Sequence, residues 1–245
     1  MSKRIGAQTT ALPSCPGLIG WAGIAGQKEK DGPYGAKFDW IIPDELNGEQ
    51  SFESAERAML EQAVALCAEK AGTRLNEVQM LLAGDLLNQI ISAGFAARNL
   101  GIPFYGLYGA CSTMSESLSV GGMLVDGGFA DRLICATCSH FCTAERQYRA
   151  PLELGNQRTP TAQWTVTGAG GDDFQLQARA GSLDAYDMRA RGGSGHYGCE
   201  QHGRSHDAGG LRYTCGAFQG SGARLCGLRF GGDGRFGTLG SRSAH

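Results

Sequence analysis

The chain has 245 residues, a formal net charge of −2, 42% hydrophobic residues and 19% charged ones. That length and composition suit one large domain or two small ones around a real core, and they lack the basic footprint of a general nucleic-acid binder. No run approaches the roughly 18 apolar residues of a membrane span, the opening MSKRIGAQTT has no apolar signal core, and nine irregularly spaced Cys read as free thiols, so a reducing, cytoplasmic compartment is expected.

In chain order, Lys28, Lys30 and Asp31 between Gly26 and Gly32 read as a surface loop. Residues 52–72 follow as an amphipathic helix, because Ala55, Met59, Ala63, Leu66 and Cys67 recur at three- and four-residue steps. Ser51 and Ser54 are both suitable N-caps, and Gly72 ends the helix. A short apolar strand is predicted over 78–83, closed by Gly84-Asp85. A second helical stretch covers 88–99 and stops at Gly101 and Pro103. A strand over 104–108 runs into Gly109-Ala110-Cys111-Ser112, and a helix of small residues covers 113–125. Residues 132–137 form another strand. Strands alternating with helices, several of them near-continuously apolar, predict an α/β fold with a mixed, mostly parallel sheet covered by helices.

The composition changes near residue 170. Residues 171–245 hold 18 of the 39 Gly, nine Arg, no Lys, and no Val, Ile, Pro, Asn or Trp. Such a stretch builds neither strands nor long helices readily. It is expected to be irregular or disordered, and to come from a GC-rich coding region read out of frame from about Gly170 or Gly171. The domain reading is therefore 1–170 as the folded part and 171–245 as a Gly/Arg-rich tail.

The turn at Cys111 carries the most chemical information. A buried strand delivers it to the start of a helix, where unsatisfied N–H groups and the macrodipole lower a thiol pKa. Its small neighbours leave room for a ligand. Such an elbow resembles the nucleophile turn of the thiolase-like fold. The strings AGIAGQKEKDGPYGAKFD (22–39), FESAERAMLEQAV (52–64), GDLLNQ (84–89) and TAERQYR (143–149) resemble the stage V sporulation protein AD family, in order from about residue 15 to 170.

The resemblance implies the N-terminal half of a thiolase-like fold. It also implies a non-enzymatic binding role for dipicolinic acid (pyridine-2,6-dicarboxylate), with calcium as its accompanying cation, in the SpoVA uptake machinery of the developing spore. The implied partners are SpoVA membrane proteins and a second copy of the chain, and the implied place is the cytoplasm or the face of the spore inner membrane. No cofactor is implied. The alternative is an acyltransferase like thiolase or ketoacyl synthase III, with Cys111 as nucleophile. Its partner residues would come from a second half that nothing after residue 170 matches.

Other candidate ligand residues are Asp85 and Asn88, which either line a pocket at a strand end or cap the next helix. His140 is either a pocket residue or a hydrogen-bonded structural one. Arg146 and Arg149 suit a dicarboxylate, or else an interdomain or dimer-interface salt bridge. The run Cys135, Cys138, His140 and Cys142 looks superficially like a zinc site. Strand alternation sends Cys135 and Cys138 to opposite faces, so no metal site is expected there.

Overall fold

The computed structural model describes residues 3–5, 9–144, 146, 149–151, 154 and 164–175, together with the backbones of two strands at 211–217 and 224–230. Strands β1 (Arg4–Ile5), β2 (Thr9–Ala11) and β3 (Gly17–Ala25) come first, followed by the short helix α1 (Gln27–Lys30) and strand β4 (Trp40–Ile41). Helix α2 (Phe52–Lys70) leads to β5 (Met80–Gly84), and α3 (Ile91–Leu100) to β6 (Phe104–Gly106). Helix α4 (Thr113–Asp126) then precedes β7 (Arg132–Ser139) and β8 (Gly168–Gln175).

Six strands form one sheet in the order β4-β3-β8-β7-β5-β6. Only β8 runs against the rest; β3 with β4, β5 with β7 and β5 with β6 are parallel pairs. Five strands therefore end at one edge of the sheet, and that edge carries the candidate residues. Period-two alternation sorts the core. Leu81, Ala83, Ile134, Ala136 and Cys138 join Met59, Leu60, Ala63, Val64, Ala93 and Ala97 of α2 and α3 on one face. Leu82, Leu133 and Cys135 join Val125 of α4 on the other. This is the covered, mostly parallel α/β sheet the sequence predicts. Among the described residues no helix is long and apolar enough to cross a membrane.

Element boundaries differ from expectation where side chains intervene. Ser51 is the N-cap of α2, its Oγ accepting from the Ser54 N–H at 3.2 Å. The helix expected from residue 88 begins at Ile91, because Gln89 and Ile90 adopt left-handed backbone angles (φ 64° and 49°). Asp85 accounts for this: it accepts the N–H groups of both Leu87 and Ala93 and so holds the intervening chain in a turn. Gly101 ends α3 with φ 69°, a conformation that suits glycine. The expected loop around Lys28 contains α1.

Two strands are described within the tail. Strands β9 (Leu211–Ala217) and β10 (Arg224–Phe230) pair antiparallel, and β10 also pairs with β2. Their segments LRYTCGA and RLCGLRF concentrate the Leu, Tyr, Cys and Phe of a region that is otherwise poor in strand formers. The rest of 176–245 lies outside the described residues.

Candidate functional site

The elbow is built on the ends of two parallel strands. Beyond β6, the Leu107 N–H donates to the Ala83 carbonyl at 2.9 Å, so the connector stays zipped to β5 for one more residue. A Cβ on Gly84 would stand 2.0 Å from the Leu107 carbonyl oxygen and 2.9 Å from Thr113 Cγ2. The connector can therefore lie this close only over a glycine. A single 3₁₀ turn, Ala110–Ser112, then carries Cys111 into α4.

Three side-chain hydrogen bonds lock that turn. The Gly109 N–H donates to Thr113 Oγ1 (3.1 Å), Thr113 Oγ1 donates to the Ala110 carbonyl (2.9 Å), and Ser112 Oγ donates to the Gly109 carbonyl (2.7 Å). Ala110 takes φ 48°, a left-handed angle that costs a non-glycine residue energy. Cys111 is exposed at the head of α4.

Asp85 follows Gly84 directly and is 1% exposed. Its Oδ1 accepts from Leu87 and its Oδ2 from Ala93, each at 2.8 Å. Burial pushes its carboxyl pKa up, and these two bonds pull it back. The capping reading fits this geometry. Asp85→Ala should strand two buried N–H groups and cost about 3 kcal/mol, measured as a lower denaturation midpoint, with Asp85→Asn falling between the two. The side chain of Asn88 lies outside the described residues.

A second group of candidates sits on the turn that follows β7. His140 is fully buried between the rings of Phe52 (5.1 Å) and Phe141 (4.9 Å). Its Nδ1 accepts the Cys142 N–H at 3.1 Å, and its Nε2 lies 2.9 Å from the Glu45 carbonyl. Only the neutral tautomer with the proton on Nε2 satisfies both, and burial lowers the ring's pKa accordingly. Arg149 donates to the carbonyls of Ala144 (2.6 Å), Cys142 (2.7 Å) and Phe141 (2.8 Å). Arg146 pairs with Glu53 of α2. All three side chains are thus engaged within the chain around this turn.

Glu56 holds that turn from beneath, and the sequence reading passed over it. It is fully buried, with Thr143 Oγ1 2.5 Å from Oε2 and Cys138 Sγ donating to Oε1 at 3.6 Å. Burial raises its pKa to about 8. A signal was present: Glu56 occupies the apolar helical stripe between Phe52 and Leu60.

The sheet separates the thiols of the zinc-like run. Cys135 donates to the Ser117 carbonyl at 3.1 Å on the α4 face, while Cys138 faces Glu56 on the α2 side. Burial pushes both thiols well above the ordinary range.

The family model for stage V sporulation protein AD (SpoVAD) matches residues 6–182. The chain belongs to the SpoVAD family. The stage V sporulation protein AD of Bacillus subtilis (strain 168) is 47% identical over 169 residues, which cover 69% of this chain and 50% of that protein. The chain thus spans about half the length of the curated relative it matches. Among solved structures, it is similar to the 3-oxoacyl-[acyl-carrier-protein] synthase III of Aquifex aeolicus VF5, with 13% identity, 67% of this chain and 55% of that one covered, and a TM-score of 0.47. It is also similar to the priming β-ketosynthase of the R1128 polyketide pathway, with 15% identity, 70% and 52% covered, and a TM-score of 0.45.

Proposed function

We propose that this SpoVAD chain is a non-enzymatic binding component for dipicolinic acid in the SpoVA uptake machinery of the developing spore. The observation that carries the reading is the pairing of an exposed, rigidly presented Cys111 with an imidazole committed elsewhere. His140 is the sole histidine among the described residues, and both its ring nitrogens are used within the fold. A thioester mechanism needs a base within reach of the thiol, and His140 cannot serve. The positive end of the α4 dipole, beside the elbow, favours a carboxylate. Calcium would accompany the dianion as cargo.

A second copy of the chain fits the open edge of the sheet. Among the described strands β6 pairs only with β5, and Tyr105 on β6 and Tyr108 just beyond it are about half exposed. An edge strand of this kind offers unpaired backbone groups to a symmetry mate. SpoVA membrane proteins remain the expected larger partners, at the inner-membrane face.

The test is thermal unfolding of the chain with dipicolinate, alongside incubation with radiolabelled acyl-CoA. Binding should raise the unfolding midpoint, with about 2.7 kcal/mol of stabilisation at a hundredfold excess over Kd. A stable label lost in Cys111→Ser, with no dipicolinate effect, would establish the acyltransferase alternative instead.

A further inference from the structure

Strand β8 lies inside the six-stranded sheet, hydrogen-bonded to β3 on one side and to β7 on the other. Its opening residues suit that place. Ala169 belongs to the main core, and Gly171 stands where a Cβ would make ordinary contact with Cys67 of α2. The next two residues are Asp172 and Asp173. Asp173 is 0% exposed, in register with Gly20 and Ile134, and among the described residues neither of its carboxylate oxygens makes a well-formed hydrogen bond. The Thr73 hydroxyl beside it is likewise buried without a well-formed bond. Burial raises the pKa of both acids, that of Asp172 to about 7, and the two push the Cys67 thiol up further.

Proteins bury acids to hold an ion, to share a proton or to meet a cation. Consecutive strand residues point to opposite faces, so Asp172 and Asp173 can neither close on one ion nor share one proton. Among the described residues no three His, Cys, Asp or Glu are grouped to hold a metal. Arg132 acts on Asp173 only through space and spends its own contact, at 3.5 Å, on Glu77. Among the described residues, Asp173 has only the Thr73 hydroxyl and Arg132, acting through space, to offset its burial. The family match ends at residue 182, shortly after the two acids. From Gly171 to His245 the chain holds no Val, Ile, Pro, Asn, Trp or Lys.

We infer that the family's reading frame breaks between Gly170 and Asp172, and that the residues from there on are an out-of-frame translation rather than a tail selected to fold. β8 still completes the sheet because its ladder uses backbone groups on both sides, which any non-proline residue supplies. The inference is independent of what Cys111 binds.

Sequencing the locus and translating all three frames beyond codon 170 tests it. A different frame should stay open from that point and place apolar residues at the two positions now held by the acids. Stop codons closing both other frames within a few tens of codons would overturn it. At the protein level, the full chain carrying Asp172→Val and Asp173→Val should unfold at least about 5 °C higher than the parent. An unchanged or lower midpoint would show that the strand is adapted to its carboxylates, and would overturn the inference as well.

Discussion

Gly84→Ala is expected to destabilise the chain by about 3 kcal/mol or more and to abolish stabilisation by dipicolinate. The added methyl would lie 2.0 Å from the Leu107 carbonyl oxygen, a backbone atom held by the Leu107 N–H bond to Ala83. Relief requires lifting the connector off β5, and the connector carries the turn Ala110–Ser112. Stability and the presentation of Cys111 should fail together. Gly94→Ala is the control: a Cβ there meets nothing within 4 Å and the site is helical, so that variant should gain up to about 1 kcal/mol. Urea midpoints for the two variants, with and without dipicolinate, check both expectations. Equal behaviour would show that the close approach at Gly84 does not hold the elbow.

Glu56→Gln should flatten the dependence of stability on pH. The folded carboxyl titrates at about 8, against an ordinary value of 4.5. Between those values the unfolded chain has released a proton that the folded one retains, so stability falls as pH rises across the window. The slope from this group approaches 1.4 kcal/mol per pH unit. Its stabilisation is complete below pH 4.5 and gone above about 8. The geometry agrees with a neutral acid. Thr143 has one hydroxyl hydrogen and faces both Glu56 Oε2 and the His140 carbonyl at 3.2 Å. A protonated Glu56 frees that hydrogen for the carbonyl. Glutamine can make the same contacts without a proton to lose. Asp85, Asp172 and Asp173 also have raised pKa values and act in the same direction, but they are present in both chains and cancel in the difference. Denaturant midpoints from pH 5 to 8 should diverge in favour of the variant toward the alkaline end. Parallel curves would mean that Glu56 is ionised throughout.

Local pattern made much of this molecule legible. The apolar stripe of α2, the apolar run of β5 and the Gly109–Ser112 turn each encode their own conformation in residues close together in the chain, and each is found where expected. β3 was not read, because GLIGWAGIA mixes glycine into a strand that is held by its neighbours β4 and β8 rather than by its own propensity. The start of α3 was misplaced because Asp85, six residues upstream, captures the amide N–H groups on either side of Gln89.

The sequence by itself determined the fold class, the elbow that presents Cys111 and the break in composition near residue 170, since these rest on periodicity, turn residues and residue counts. The tertiary structure decided which polar side chains remain available. His140, Arg146 and Arg149 carry the right chemistry for a dicarboxylate, yet partners as distant in the chain as Glu45 and Glu53 occupy two of them. A side chain's chemistry belongs to its residue type, but the occupation of its donors and acceptors is set by whatever the fold packs against it.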